Sequence, residues 1–243
     1  PGSTADAGGR SLQDKYEHMV SYDQMLAYPF ARYGQEITDF LPLGATRSGI
    51  CRRSKLVCVP KTAIKKRTIC EEPAILQYFQ QMVKNSLYDY MAIEPHIREH
   101  VRLDDQSINR TAARIGSIIG SISTIDLSNA SDSVSWDLAR IAFRGTPLLP
   151  WLYATRSKEV DVNGDVIAAN KFAPMGSALC FPIETLIFSA VCEYAMRQQR
   201  HLCSTPYYSV YGDDIAVSTE LVPYICELLE RLGFTVNTDK TFF

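Results

Sequence analysis

Residues 207–218 hold the feature that most constrains how this chain can fold. Two short runs rich in aromatic and β-branched residues, 207–210 and 215–218, flank the tripeptide Gly212-Asp213-Asp214. Such runs on either side of a Gly-Asp turn predict a β-hairpin. The fold must therefore supply a sheet around this hairpin, and the turn exposes two adjacent carboxylates.

These two carboxylates indicate half of a metal site. Two like charges this close repel each other unless a cation lies between them. Mg²⁺ takes oxygen ligands, often one or two carboxylates plus substrate phosphates, so Asp213 and Asp214 suit phosphoryl transfer. The alternative is an ordinary acidic turn, because Gly and Asp are favoured turn residues. A metal site at these residues would need a third carboxylate from another strand.

Residues 122–137 supply that carboxylate. The run 122–125 predicts a strand, and Asp126 follows directly at its end. An acid where a strand ends can face a cleft. The alternative for Asp126 is an Asx-turn residue. Asp132 precedes a helix that we expect to begin around residues 133–136, so it is either functional or a helix N-cap.

A basic stretch occupies residues 52–67, without any intervening acid. Its cations are Arg52, Arg53, Lys55, Lys61, Lys65, Lys66 and Arg67. The flanking runs 57–59 and 68–70 predict strands around a basic loop, and clustered cations form an anion site whatever the net charge. The formal net charge of −2 counts mildly against a nucleic-acid binder. The stretch is either a channel for nucleoside triphosphates and an RNA backbone or a solvated basic loop.

Two further segments place polar groups at predicted helix starts. Glu72 precedes Pro73, and acids in a first helical turn suit the helix dipole. Residues 172–177 form a small-residue loop before a second helix, where Gly176 and Ser177 offer backbone N–H groups to a template phosphate or ribose. Both features also fit a plain helix start, and Glu184 is then only a dipole-friendly acid of the first turn.

Composition excludes several other classes of protein. The chain has 243 residues, lacks an apolar run near the ~20 residues that span a membrane, and has no signal peptide. Its seven cysteines are odd in number and form no Cys-x-x-Cys, which argues against a disulfide framework or a zinc site. We read both chain ends as cuts and expect a fragment of a longer protein.

The order of predicted elements indicates an α+β fold. A strand ending at Asp126 is followed by a helix, a loop and helix over 176–198, the acidic hairpin, a helix over 221–232 and a strand over 234–237. This βαββαβ order predicts an antiparallel sheet with helices on one face. Asn163-Gly164 predicts a further hairpin near 158–170.

At this point the chain resembles the RNA-directed RNA polymerases (replicase beta subunits) of positive-strand RNA bacteriophages, the leviviruses. The resemblance spans residues 57–243 and rests on ordered motifs. They are a basic fingers motif (59–67 with Glu72-Pro73), a family-specific stretch (103–109), motif A (124–133), motif B (175–188), motif C (211–214) and motif D (233–242).

The resemblance implies a right-hand polymerase palm over 126–243, fingers over 57–125, a partial N-terminal or fingers segment over 1–56, and no thumb. It implies nucleotidyl transfer with two Mg²⁺ ions, replaceable by Mn²⁺, that are held by Asp126, Asp213 and Asp214. Substrate-binding residues would be Lys61, Lys65, Lys66, Arg67, Asp132 at the ribose 2′-OH, Gly176, Ser177 and Glu184. Lys240 would be a general acid for pyrophosphate, or only a solvated lysine.

The implied partners are RNA template and product, nucleoside triphosphates, and the host translation elongation factors Tu and Ts, in the cytoplasm of a bacterial host. A non-catalytic RNA-binding module on a degenerate palm is one alternative, although binding alone needs no acids in a basic groove. A reverse transcriptase is another, although such enzymes usually carry a bulky aromatic residue just after the motif A Asp, where this chain has the small and polar run 127–131.

Overall fold

The computed structural model describes residues 3–6, 11–61, 66–203, 205–239 and 241. Two predicted site residues, Lys65 and Lys240, lie outside the described residues. The α-helices of the described part are α1 (Leu12–Glu17), α2 (Gln24–Arg32), α3 (Ala74–Ile93), α4 (Pro95–His100), α5 (Ser107–Ile119), α6 (Ala130–Ser133), α7 (Trp136–Ala142), α8 (Leu148–Thr155), α9 (Cys180–Gln198) and α10 (Val222–Arg231). Its strands are β1 (Arg53–Pro60), β2 (Lys66–Glu71), β3 (Ile122–Ile125), β4 (Leu127–Ser128), β5 (Glu159–Val162), β6 (Asp165–Ala168), β7 (Tyr208–Tyr211), β8 (Asp214–Ser218) and β9 (Thr235–Val236). Short 3₁₀ turns cover Ile37–Phe40 and Thr219–Leu221.

The chain forms two compact units, each built from two separate segments. Unit 1 comprises residues 1–84 and 135–180, and unit 2 comprises residues 85–134 and 181–243. The predicted boundaries at 56/57 and 125/126 stay a prediction about fingers and palm. Each unit combines two separate stretches of the chain, whereas the predicted boundaries divide the chain into consecutive segments.

Unit 1 contains a mixed sheet with the strand order β2-β1-β5-β6. The β1–β2 and β5–β6 pairs are antiparallel, whereas β1 and β5 run parallel. The predicted Asn163-Gly164 hairpin is confirmed, since both residues adopt positive φ between β5 and β6. The core of the unit is aromatic: the ring of Phe30 lies 5.0, 5.3 and 4.8 Å from those of Phe40, Phe79 and Trp151.

Unit 2 contains a three-stranded antiparallel sheet with the order β3-β8-β7 and a separate two-stranded ladder of β4 with β9. Helix α5 packs on all three strands of the larger sheet. Helix α10 is amphipathic, as its sequence predicts, and buries Val222, Ile225 and Leu229. The acidic hairpin β7–β8 therefore lies in a sheet that is packed against α5.

The α+β class is confirmed, but the predicted single βαββαβ sheet is wrong in one part. The return strand β9 pairs with Leu127 and Ser128 rather than with the larger sheet. The reason lies at Asp126, where the chain leaves β8 as its partner and takes β9 instead. Asp126 thus sits at the junction of two ladders.

The structure also describes the helices and the cysteines on which the predictions from composition depend. Within the described residues, no helix combines the length and apolar character that a membrane crossing needs. The seven cysteines, all of which lie in the described part of the chain, form no disulfide bond there, and Cys70, Cys180 and Cys192 are buried.

Candidate active site

The acidic hairpin is held at its tip by α9. Strand pairing ends at Tyr211 and Asp214, so Gly212 and Asp213 form a two-residue loop. Gly212 has φ +63, and a Cβ atom at this position would overlap the ring of Phe181. Its N–H also donates to Thr185 Oγ1 at 3.0 Å. A glycine is therefore required at the tip both for its backbone conformation and for lack of space.

Strand register brings the motif A carboxylate beside this hairpin. Ile125 of β3 pairs with Ile215 of β8, and one residue beyond that pair the two strands carry Asp126 and Asp214. Both acids line a cavity of about 340 Å³ with residues of α5, β3 and β8. The predicted meeting of Asp126 with the hairpin is thus found in the structure.

Asn237, directly after β9, holds Asp126 in place. Its main-chain N–H donates to the Asp126 carbonyl oxygen, and its side-chain Nδ2 donates to Asp126 Oδ2, both at 2.9 Å. The side chain of Asp126 is therefore fixed by a neutral donor from a distant part of the chain. An Asx turn at Asp126 stays the alternative to a metal-binding role.

Asp132 lies inside the short helix α6, so the N-cap alternative is wrong. The residue at the N-cap of α6 is Asn129, and the following helix α7 is capped by Ser135, whose side chain accepts from Leu138 N. Asp132 is partly exposed, and its charge acts on the neighbouring carboxyl of Glu184. Helix capping therefore does not explain the position of Asp132.

Glu184 is the buried acid of this site. Only 3 % of the residue is exposed, and its Oε2 atom has no hydrogen-bond partner among the described residues. Burial, together with the charges of Asp213 and Asp132, raises the pKa of this carboxyl to about 7, against the lowering effect of a hydrogen bond with Ser131. Glu184 therefore joins Asp132 and Asp213 in one electrostatic cluster. The expectation of a dipole-friendly acid in the first turn is wrong, because α9 begins at Cys180 and has no acid in its first turn.

The donor chemistry of the site fits a divalent cation. Carboxylate oxygens from several elements, one of them unpartnered and buried, are the ligands that hard cations prefer. In the described part of the chain, no group of three or more His, Cys, Asp or Glu side chains is placed to hold a metal ion by itself. Mg²⁺ usually binds one or two carboxylates and completes its shell with substrate phosphates and water, so a closed protein cage is not needed.

Residues at the start of α5 contact the acidic hairpin, and the sequence did not predict these contacts. Gln106 Nε2 donates to Asp214 Oδ2 at 2.7 Å, and Asn109 Nδ2 donates to the Asp214 carbonyl oxygen at the same distance. Ser209 Oγ donates to Asn109 Oδ1 at 2.6 Å. The only sequence signal for these residues was their place in the polar stretch 103–109.

In unit 1, the basic stretch divides into structural and exposed cations. Arg52 is buried, forms a bidentate ion pair with Asp23 (2.6 and 2.8 Å) and donates to two carbonyl oxygens. Arg53 pairs with Glu159 at 2.9 Å. The exposed cations are Lys55, Lys61, Lys66 and Arg67. An anion site in the stretch therefore rests on these residues and not on Arg52.

The loop before α9 is fixed to β2 within unit 1. Cys70 N donates to the Met175 carbonyl oxygen at 2.7 Å. A Cβ atom at Gly176 would overlap the Cys70 carbonyl oxygen, so the close approach of the two backbones requires glycine. Ser177 is buried, and its Oγ accepts from Leu179 N at 3.3 Å. Template contact by Gly176 and Ser177 stays a prediction beside these packing roles.

Glu72 corrects the expectation of an acidic first turn. Helix α3 begins at Ala74 and has no acid in its first turn. The Glu72 carboxylate is buried and accepts a hydrogen bond of 2.5 Å from Ser157 Oγ. Burial raises its pKa to about 7, against the lowering effects of Ser157, Gln80 and the Arg156 charge. Glu72 is therefore an interior polar anchor of unit 1.

Comparison with known proteins gives a consistent result. Residues 26–243 match the family described as RNA replicase, beta-chain. The RNA-directed RNA polymerase beta chain of Enterobacteria phage fr is 36% identical over 184 residues, which cover 76% of this chain and 32% of that protein. The corresponding values are 35% over 189 residues, 76% and 32% for the beta chain of Escherichia phage MS2, and 34% over 205 residues, 80% and 32% for subunit beta of Escherichia virus Qbeta. The chain thus spans about a third of the length of these relatives.

Solved structures with the same fold are more distant in sequence. The RNA-dependent RNA polymerase of a human picobirnavirus matches with a TM-score of 0.54 at 16% identity, over 78% of this chain and 40% of that one. Telomerase from Candida albicans, in complex with a fragment of telomeric RNA, matches with a TM-score of 0.54 at 13% identity, over 78% and 41%. These likenesses show the polymerase and telomerase fold alone, and the presence of partial fingers stays a prediction.

Proposed function

Because the chain belongs to the RNA replicase beta-chain family, we propose that it carries the nucleotidyl-transfer centre of an RNA-directed RNA polymerase. Its substrates are an RNA template and nucleoside triphosphates, and its product is a complementary RNA strand for replication of a phage genome. The observation that carries the proposal is the pairing of β3 with β8, which places Asp126 beside Asp214 on a hairpin whose tip is Asp213.

Asp126, Asp213 and Asp214 would hold two Mg²⁺ ions, for which Mn²⁺ can substitute. Such ions lower the pKa of an attacking hydroxyl and neutralise a triphosphate when they are bound. The protein contributes fixed geometry. Asn237 orients Asp126, and the contacts of Gly212 with Phe181 and Thr185 fix the hairpin tip. Preorganised charge of this kind is the main contribution a protein makes to phosphoryl transfer.

Other residues take the roles of substrate ligands. The exposed cations Lys61, Lys66 and Arg67 bind the incoming triphosphate, as does Lys65 by its position in the same stretch. Asp132 accepts a hydrogen bond from the ribose 2′-OH, and Glu184 supports it from the buried side of the cluster. Gly176 and Ser177 contact the template, and Lys240 donates a proton to the leaving pyrophosphate.

The setting follows from the same proposal. A phage replicase segment works in the cytoplasm of a bacterial host, and the host translation elongation factors Tu and Ts are its proposed partners. Binding of the purified factors to this chain, measured by isothermal titration, tests that part separately. No binding by either factor refutes the partnership and leaves the catalytic proposal intact.

Because the chain spans about a third of the length of its relatives, the catalytic proposal is tested in a full-length beta chain that contains these residues. The assay is single-nucleotide addition to an RNA primer on an RNA template. We expect addition with Mg²⁺, none after chelation, and at least a thousandfold loss in Asp213→Asn with RNA binding retained. The exposed Thr111→Ala variant on α5 is the control and should match the wild type. RNA binding without addition by the wild type favours the non-catalytic binding module, and preference for deoxynucleotides favours a reverse transcriptase.

A further inference from the structure

Two amide side chains at the N-terminal end of helix α5 bind to the acidic hairpin rather than to their own helix. Gln106 occupies the N-cap position of α5 but makes no side-chain cap. The Asp105 carboxylate instead accepts from Ser107 N at 2.8 Å. The Gln106 amide is therefore free to extend to β8, where it meets the Asp214 carboxylate.

The chemistry of the neighbouring groups fixes the orientation of each amide. Arg110, one turn along α5, donates to Gln106 Oε1 at 3.1 Å, so the Nε2 atom must face Asp214. Asn109 meets a carbonyl oxygen of Asp214, which only accepts, and the hydroxyl of Ser209, which can donate. Exchange of oxygen and nitrogen in either amide would place acceptor against acceptor.

We infer that Gln106 and Asn109 are positioning residues for the acidic hairpin. Gln106 takes one oxygen of Asp214 and leaves Oδ1 without a hydrogen-bond partner among the described residues, in the cavity shared with Asp126. Asn109 ties β8 to β7 through Ser209. The two amides thus hold the second carboxylate of the hairpin in one orientation toward the proposed metal site, and this role rests on the proposed function.

The alternative is that α5 merely packs on the sheet. Asn109 is buried and would have to satisfy its amide in either case. Gln106 is partly exposed and could turn to water, so its bond to Asp214 is not demanded by burial. Exchanging donor and acceptor between positions 106 and 214 distinguishes positioning from packing. A hydrogen bond needs a donor at one position and an acceptor at the other, whereas packing does not depend on which of the two residues carries the charge.

The experiment measures amide hydrogen exchange of the hairpin in the metal-free chain. Gln106→Ala removes one hydrogen bond of roughly 1 kcal/mol and should speed exchange over residues 211–215 by about fivefold. Gln106→Glu places a carboxylate against that of Asp214 and should speed exchange by at least tenfold. Combination with Asp214→Asn, whose amide can donate to the introduced carboxylate, should restore the rate to within about twofold of wild type.

Asn109→Asp keeps an acceptor for Ser209 but loses the donor to Asp214, so it should also speed exchange in the hairpin. Thr111→Ala, on the exposed side of α5, is the control for helix stability and should leave the hairpin unchanged. Wild-type exchange in the Gln106 variants, or no rescue by the combined variant, would overturn the inference.

Mn²⁺ titration of the same proteins separates this inference from the proposed function. We expect Gln106→Ala to weaken Mn²⁺ binding by about tenfold, since the carboxylate stays present but loses its fixed orientation. A wild-type chain that binds no Mn²⁺ refutes the proposed metal centre, and the metal-free exchange rates still decide whether Gln106 and Asn109 position the hairpin.

Discussion

Substitution of Gly212 by alanine tests whether α9 fixes the acidic hairpin. Gly212 has φ +63, in the left-handed region, where a Cβ atom costs about 1 kcal/mol. The added methyl group would also overlap the Phe181 ring, and such overpacking typically costs about 1–3 kcal/mol. Reduced freedom of the unfolded chain offsets about 0.5 kcal/mol. The expected loss in free energy of unfolding is therefore about 1.5–3.5 kcal/mol.

Gly120 offers a matched control. It has nearly the same φ, +67, but, apart from its chain neighbours and helix backbone, no atom of the described residues lies within 4 Å of its ideal Cβ position. Gly120→Ala should therefore lose only about 0.5–1 kcal/mol, which is the conformational part of the effect. Urea unfolding of wild type, Gly120→Ala and Gly212→Ala, followed by circular dichroism, isolates the overlap with Phe181.

The double variant Gly212→Ala with Phe181→Leu makes the test specific. If the ring causes the excess loss, the smaller leucine should relieve at least about 1 kcal/mol of it, so the two substitutions are not additive. Equal destabilisation by Gly120→Ala and Gly212→Ala, or strict additivity with Phe181→Leu, would refute the account of how the tip is held.

Three further predictions concern the acids and the exposed cations. Asp214→Asn should retain more nucleotide addition than Asp213→Asn, because an asparagine oxygen can still accept from Gln106; equal losses in a single-turnover assay contradict this. Glu72 binds its proton more tightly in the folded state (pKa about 7) than in the unfolded state, so its burial costs stability increasingly as pH rises from about 4.5 to 7, by about 3 kcal/mol in all. In Glu72→Gln, the free energy of unfolding measured with urea should fall less steeply between pH 5 and 8. An unchanged dependence on pH would rule out Glu72 as the cause of the decline. Lys66→Ala with Arg67→Ala should raise the KM for nucleoside triphosphates about tenfold and lower the salt dependence of RNA binding, and an unchanged KM and salt slope count against a triphosphate site there.

The local parts of the site follow from the sequence. The hairpin 207–218 is set by short β-forming runs around a Gly-Asp turn, and the Asn163-Gly164 hairpin by the same turn chemistry. Asp126 is found beside Asp214 because an acid at the end of a strand stays at the edge of the sheet. These predictions need only strand periodicity and turn propensity.

The supporting contacts do not follow from the sequence, because they join residues far apart in the chain. Asn237 reaches Asp126 over 111 residues, and Gln106 reaches Asp214 over 108. Amide side chains fit many surface and loop roles, so composition gives no preference for one partner. The pairing of β9 with β4 is missed for a similar reason: a two-residue ladder is too short to leave a periodic pattern.

Burial of charged residues is the other part that sequence does not predict. Arg52 lies in a basic stretch and Glu72 before a helix start, and each fits an exposed role. The structure buries both: Arg52 pairs with Asp23, and Glu72 accepts from Ser157. Such burial depends on partners contributed by other segments, and those partners become visible only when the fold brings them together.

The most direct measurement of the central claim is template-directed addition by a full-length beta chain that contains these residues. Four RNA templates that differ only in the first unpaired base are each offered all four nucleoside triphosphates with Mg²⁺, and the added nucleotide is identified by mass spectrometry. The account predicts that each template directs addition of its complement, and that Asp126→Asn abolishes all four reactions while RNA binding persists. Addition that ignores the templating base, or that survives in Asp126→Asn, would contradict it.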